Sequence, residues 1–492
     1  MTLLFATMML ANDKLTATLP PIPREFRAAW VATVDNIDWP SRRDLTTQQQ
    51  QDELLKIIQK AQDLNLNALV FQVRPSADAL YRSSLEPWSE YLTGLQGRAP
   101  DPAWDPIEFA VTECHRRGIE LHCWFNPYRA EHPAQKGPLA ANHLFNTNPG
   151  IVKKYDRYLW MDPGEKDVQK RSLDVIFDVV KRYDIDGVHL DDYFYPYPVK
   201  DGSGNEVDFP DGPSWNKYKS SGGTLSRDDW RRQNVDEFIE NLYKGVKKLK
   251  KHVLVGISPF GIARPGKPST VKAGFDQYSE LYADAQKWLN EGWCDYYSPQ
   301  LYWAISSPQP YPDLLKYWLG QNKHDRHVWA GLYTGRTDPS EGNWKATEIL
   351  NQIAISRKLE DDSGNVHFSF KCLANNFANV ATALKNGPYQ DDAFVPASPW
   401  LGDKKPRMPR IVVAGSVSFE APKSGEFMAI CYGTRKDPDG GDEAENVTWG
   451  NWQRYHSGDP ISWVNVAHGP IAAVTFSDTG VASEPVIQPT KR

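Results

Sequence analysis

Two adjacent carboxylates, Asp191 and Asp192, close the segment IDGVHLDD and are followed at once by Tyr193, Phe194, Tyr195 and Tyr197. Like charges a few ångströms apart cannot both ionise freely, so one member of such a pair is pushed toward its protonated form. The pair then offers an acid and an anion in one site. Other polar and aromatic residues follow short apolar runs elsewhere in the chain. Asp38 and Trp39 come after the first run, with Asp35 and Asn36. Gln72 and Arg74 end the second. Asn126, Tyr128 and Arg129 follow the third in WFNPYRA, and Gln300, Tyr302 and Trp303 end the sixth in SPQLYW. With His189 and Tyr193 beside the carboxylates, these are the candidate substrate-binding groups. No H-x-H or H-E-x-x-H spacing occurs, so metal-dependent hydrolysis is disfavoured, and neither a metal nor a cofactor is expected.

The elements that must position these residues read as alternating strands and helices. Strand-like runs fall at 27–34, 67–73, 119–125, 187–191, 253–258, 295–301, 327–332 and 366–370. Amphipathic helices lie between them. Leu173, Ile176, Phe177 and Val180, for example, recur at one helical face. Eight such units predict a closed (β/α)8 barrel of the TIM type over residues 25–392. Links from helix to strand are short, whereas those from strand to helix are long, notably 74–104, 126–167 and 192–229. In such barrels the long loops build the active-site face. The candidate groups therefore converge on one end of the barrel. An open doubly wound sheet is the competing fold, but TVDNIDWPS after the first strand lacks its glycine-rich phosphate turn.

A proline-rich stretch, 393–405, reads as a linker. Short strand-like runs in 406–492 predict a small β-sandwich of fibronectin or immunoglobulin type. The acidic turn DPDGGDE, 437–443, is a weak calcium candidate and reads better as a solvated turn. At the other end, residues 1–24 begin with the apolar run MTLLFATMMLA, which resembles a signal-peptide core without a preceding basic residue. The five cysteines are scattered without C-x-x-C spacing and are expected as buried thiols.

Composition limits the partners. A formal net charge of −6 gives no reason to expect nucleic acid or an anionic membrane surface. No internal stretch is long and apolar enough for an integral membrane segment. The 18 Trp and 22 Tyr serve packing first, but flat rings also stack on the apolar faces of sugars, so a glycan is the expected partner.

The stretches FRAAWVATVDNIDWPS, ALVFQVRPSADALY, PWSEYLTG, GIELHCWFNPYRA, DGVHLDDYFYP, GISPFGI and DYYSPQLYW, in order over about 25–385, resemble glycosyl-hydrolase-like family 10. The resemblance implies a barrel glycoside hydrolase, exported or lipid-anchored in a bacterium. It also implies a glycan such as peptidoglycan stripped of its stem peptides. DGVHLD resembles the fourth strand of α-amylase-type barrels too, where the residue matching Asp191 is the nucleophile. Those barrels take their acid from a Glu on strand five, and here that strand ends in Ser258–Pro259–Phe260. The adjacent acids instead resemble hexosaminidases that use the substrate's own acetamido group as nucleophile. Chitinases of that mechanism place a tyrosine on strand six, where Tyr302 stands. On this reading Asp191, Asp192 and Tyr302 are catalytic: one Asp orients the acetamido N–H, the other donates the proton, and Tyr302 binds the acetamido oxygen. Asp191 as orienter and Asp192 as donor comes first, with the exchange left open. Two alternatives stand beside it. One is a retaining glycosidase on another polysaccharide, with Asp191 as nucleophile and Asp35 or Asp38 as acid. The other is a non-catalytic glycan-binding barrel, which would have no need of intact carboxylates.

Overall fold

Eight short parallel strands carry side chains that are buried almost without exception, as strands covered on both faces must. In this computed structural model, which describes residues 15–423, 426–437 and 444–489, they are β1 Phe26–Val31, β2 Ala68–Arg74, β3 Glu120–Phe125, β4 Gly187–Leu190, β5 Leu254–Ile257, β6 Tyr296–Tyr297, β7 His327–Val328 continued by Ala330–Leu332, and β8 Gly364–His367. Each strand pairs in parallel with the next, and β1 also pairs with β8, so the sheet closes. Helices α1 Thr47–Asp63, α2 Pro106–His115, α3 Lys166–Arg182, α4 Arg227–Leu249, α5 Ala285–Asn290, α6 Tyr311–Gly320, α7 Ala346–Leu359 and α8 Val380–Lys385 follow the strands in turn.

Local chemistry sets the helix boundaries. Thr46 and Gln49 form a reciprocal capping box at α1, and Asp105 caps α2 ahead of a proline that needs no N–H partner. On α3 the most buried face is Val168, Val175, Ile176, Val179 and Val180, one step round from the expected stripe. Leu173 and Phe177 are half-buried, and the Phe177 ring lies where a Cβ on Gly245 of α4 would stand. The helix–helix contact takes part of what the periodicity assigned to the sheet.

The barrel interior is packed with rings, and glycines leave them room. A Cβ on Gly187 would lie 2.3 Å from the His122 ring, and one on Gly256 would lie 1.9 Å from Tyr296. Trp30 Nε1 donates to His189 Nε2, while His189 Nδ1 and His122 Nδ1 both meet the Tyr296 hydroxyl, and His122 Nε2 meets Glu120. One set of tautomers satisfies this chain: Trp30 to His189, His189 to Tyr296, Tyr296 to His122, His122 to the carboxylate. The network ties β4 to β1, β3 and β6 beneath its C-terminal end.

After the barrel come two antiparallel sheets. A hairpin of β9 Arg410–Val413 and β10 Val417–Glu420 faces a four-stranded sheet ordered β12 Val447–Tyr455, β11 Met428–Arg435, β13 Ile471–Thr475, β14 Val486–Gln488. Val417 and Phe419 pack on Met428, Ile430, Ile471 and Ala473 between them. The sheet's other face, through Ala429, Trp452, Ala472 and Val474, covers Leu15, Leu19, Ile22 and Phe394. Residues 15–22, grouped with the leader-like segment in the sequence, are thus a strap over this module, and Trp452 donates to the Pro20 carbonyl. The apolar run 1–11 and all but the first residue of the acidic turn 437–443 lie outside the described residues. The module sits against the helix-to-strand turns: Arg454 packs on Gly118, its N–H donates to Asp392, and Phe427 meets the His115 ring. A cavity of ≈ 670 Å³ lies at this junction, at the end of the barrel opposite the long loops. All five cysteines are buried and unpaired.

Candidate active site

β4 runs out at Leu190, whose carbonyl accepts from Ser258 N, and the next two residues are the carboxylates. Both are buried, Asp191 at 6% and Asp192 at 3% exposure. Asn126 Nδ2 donates to Asp191 Oδ2 at 2.6 Å, and Tyr193 N donates to Oδ1 at 3.3 Å. The Tyr197 hydroxyl donates to Asp192 Oδ2, and the Gln300 amide, which donates to the Ser258 carbonyl, lies beside Asp192. Burial first, and then the neighbouring Asp192, push Asp191 up to about 7. Asp192 is raised as well, by burial, against the pull of Tyr197 and Gln300. Both carboxyls are thus raised, which suits a site that must supply an acid and an anion together.

A buried amide network supports the pair. Asn126 Oδ1 accepts from Gln72 Nε2 and from Arg129 Nη2, both at 2.7 Å. With Nδ2 on Asp191, these bonds fix the orientation of the amide. Gln72 Oε1 in turn accepts from the backbone N–H groups of Thr33 and Val34. A bulge in the β2–β3 pairing between Gln72 and Arg74 re-aims the strand end. Arg129 donates through Nε to the Pro75 carbonyl, and its guanidinium lies over the Tyr193 ring.

Half-buried rings extend from the carboxylates. Tyr197 stacks on Phe275, Phe275 meets Phe260, and Phe260 meets the face of Trp303 edge-on. Tyr302, half-buried, rests against Tyr333 and Phe368, and its hydroxyl is pushed up by burial and then by the charge of Asp192. Such a wall suits the flat apolar face of a sugar ring.

The structure thus brings Asp191, Asp192, Gln72, Asn126, Arg129, Tyr193, Gln300, Tyr302 and Trp303 together at one barrel end. Five other expected ligands are placed differently. Arg74 is fully buried, its guanidinium paired with both Glu86 oxygens and donating to the Asn126 carbonyl, so it positions Asn126. Trp39 is packed between Phe71 and Trp104 and donates to Gln50. Tyr128 is buried against Phe238. His189 belongs to the interior chain described above. Asp38 gives its oxygens to Ala32 N, Lys371 N and the Ser369 hydroxyl, tying the β1 and β8 loops together. Each is a scaffold contact because its side chain turns into the protein or is consumed by backbone donors. The residues missed were Tyr197, Phe275, Tyr333 and Phe368. Tyr197 stood in plain view in DDYFYPYP; Tyr333 and Phe368 directly follow β7 and β8, where the strand-end rule applies, and only Phe275 comes from a loop whose convergence the fold alone reveals. Among the described residues, no group of three or more His, Cys, Asp or Glu is arranged to hold a metal.

A family model described as glycosyl hydrolase-like 10 matches residues 25–342. A Bacillus subtilis protein named glycosyl hydrolase YngK is 38% identical over 399 residues, covering 79% of this chain and 76% of its own. An Escherichia coli K12 protein named glycosyl hydrolase DigH is 31% identical over 387 residues, covering 73% of this chain and 86% of its own. Among solved structures, the glycoside hydrolase domain of PgaB (BpsB) from Bordetella bronchiseptica superposes with a TM-score of 0.50 at 14% identity, over 74% of this chain and 98% of that one.

Proposed function

The chain belongs to the glycosyl hydrolase-like 10 family, and from that premise we propose that it cleaves a glycan of 2-acetamido sugars by substrate-assisted catalysis. That it is a glycoside hydrolase follows from its family and its named relatives; the substrate and the route are the proposal. One arrangement carries it: two adjacent, buried carboxylates at one strand end, Asp191 held by Asn126 and Asp192 by Tyr197, with the other strand-end acids named as donors set apart from them. Asp38 is bound by two backbone N–H groups and a hydroxyl. Asp35 is more than half exposed beside Arg43. A two-carboxylate route needs a second acid set across the bond, whereas an acetamido nucleophile needs only an orienting anion and a donor.

The proposal takes the exchanged division of roles, because Asp191, raised up to about 7, can carry a proton near neutral pH. Asp191 gives its proton to the leaving glycosidic oxygen as that bond breaks. Asp192, ionised, accepts from the acetamido N–H. The acetamido oxygen bonds to the anomeric carbon, giving an oxazolinium ion whose N–H remains held by Asp192, with the Tyr302 hydroxyl donating to that oxygen before attack. Water then opens the oxazolinium ion and returns its proton to Asp191. Holding the internal nucleophile in line contributes as much as ~7–11 kcal/mol to lowering a barrier of this kind. Peptide-free peptidoglycan, whose sugars are both N-acetylated, fits this chemistry, and such a substrate puts the working protein outside the cytoplasmic membrane. The test is product analysis by mass spectrometry after incubation with peptide-free peptidoglycan strands and chitin oligosaccharides. Release of oligosaccharides, reduced at least ~1000-fold in Asp191→Asn, is the expected result. Cleavage confined to polysaccharides without acetamido groups would overturn the reading.

A further inference from the structure

Four arginines in the described chain are almost wholly buried: Arg27, Arg74, Arg129 and Arg231. Three meet a carboxylate at ion-pair distance, Arg27 with Glu25, Arg74 with Glu86, and Arg231 with Asp208 and Asp211. Arg129, 3% exposed, has no such partner within 4 Å. Its bonds go to two neutral oxygens, the Pro75 carbonyl and Asn126 Oδ1. Nη1 makes no hydrogen bond within the protein, yet it is not among the polar atoms sealed from solvent without a partner. The guanidinium is also fixed: Nε and Nη2 are anchored and its face rests on Tyr193. A fixed, buried guanidinium with an unused N–H open to the site is a ready donor to an anion that enters it. Asp191 and Asp192 are near enough to feel the charge of Arg129 but lie beyond ion-pair distance, so its free N–H is not taken up by either.

We infer that Arg129 is a specificity residue that binds a carboxylate carried by the substrate, on a sugar next to the cleaved bond. This rests on the acetamido-glycan reading and narrows it to anionic glycans. The position supports it, because Asn126 touches both Arg129 and Asp191, leaving a single side chain between the cation and the proton donor. An aromatic wall alone would accept a neutral chitin chain equally well; Arg129 distinguishes a sugar bearing an acid. The carboxylate has two chemical sources, the lactyl ether of a muramic acid freed from its peptide, or the C6 acid of a uronic sugar. A peptide amide on the lactyl group removes the charge, so stem peptides would block recognition without steric exclusion.

The test compares kcat/KM on four glycans: peptide-free peptidoglycan strands, the same strands with their carboxyls coupled to methylamine, chitin oligosaccharides, and hyaluronan oligosaccharides. Expected is a preference of ~100-fold for free over amidated strands, the scale of a desolvated charge pair. Arg129→Gln should bring that ratio to within about threefold, mainly by slowing the free strands. A merely structural role would slow all substrates alike and leave the ratio unchanged. Arg129→Lys, which keeps the charge, should retain part of the preference. Free N-acetylmuramic acid should inhibit the native protein more strongly than N-acetylglucosamine, a readout that needs no variant to fold. Faster cleavage of hyaluronan than of peptidoglycan strands would assign the carboxylate to a uronic sugar. Equal cleavage of free and amidated strands, or a ratio that survives Arg129→Gln, overturns the Arg129 assignment alone. Failure to cleave any of the four overturns the acetamido-glycan reading and this inference with it.

Discussion

Asp191 and Asp192 share one barrel-strand end, and on the proposed route, with Asp191 as donor, their protonation decides when the site works. Asp191 is pushed up to about 7 by burial and by Asp192. As the donor it must be protonated, so kcat/KM should fall as pH rises through about 7. On the acid side kcat/KM should fall as Asp192 loses its charge, giving a bell whose limbs belong to the pair. Asp192→Asn removes the like charge but not the burial, so Asp191 should then titrate lower while staying above an ordinary aspartate. Carboxyl 13C NMR on both proteins reads this directly. An Asp191 midpoint near 4 in the native protein, or one unmoved by the substitution, would contradict the account. At this scale the sequence was informative about identity and silent about direction. DDYFYPYP marked the pair, but nothing in one sequence says that His189, two residues earlier, turns inward to Tyr296. Nor does it say that Trp39 and Tyr128 face the packed layer behind the sheet.

At the scale of elements, the barrel was legible because parallel strands covered on both faces read as apolar runs, and because loop lengths differ at its two ends. Departures arose where tertiary contacts reassign a side chain. Phe177 turned to the gap over Gly245 on α4, and Arg74 turned to Glu86 and the Asn126 carbonyl. Arg74 therefore acts through the backbone of Asn126 and through Glu86. Glu86→Gln leaves a buried guanidinium half-compensated, and should lower stability by about 3–5 kcal/mol in chemical denaturation. Because Asn126 orients Asp191, kcat should drop roughly tenfold with KM little changed. A rise in KM alone, with stability intact, would instead mean that Arg74 touches substrate, as its strand-end position first suggested.

For the whole molecule, the loop asymmetry separates chemistry from support. The carboxylates lie at one end of the barrel, and the two-sheet module docks on the other, strapped by residues 15–22 and pinned through Arg454, Asp392 and Phe394. Cutting the chain after residue 405 should uncover Leu15, Leu19, Ile22 and Phe394 and lower the melting temperature, while a folded truncation keeps glycan hydrolysis within about tenfold. A folded truncation without activity would show that the module contributes to the site. The strap was not legible because its apolar residues sit beside a leader-like run and pair with strands some 400 residues away. The most direct test of the central claim is intact-protein mass spectrometry during turnover of peptide-free peptidoglycan strands, alongside inhibition by a thiazoline that mimics the oxazoline. Competitive inhibition and no mass added to the protein are expected, because the intermediate remains within the sugar. A glycosyl adduct mapped to Asp191, with no thiazoline binding, would contradict it and return the site to a two-carboxylate mechanism.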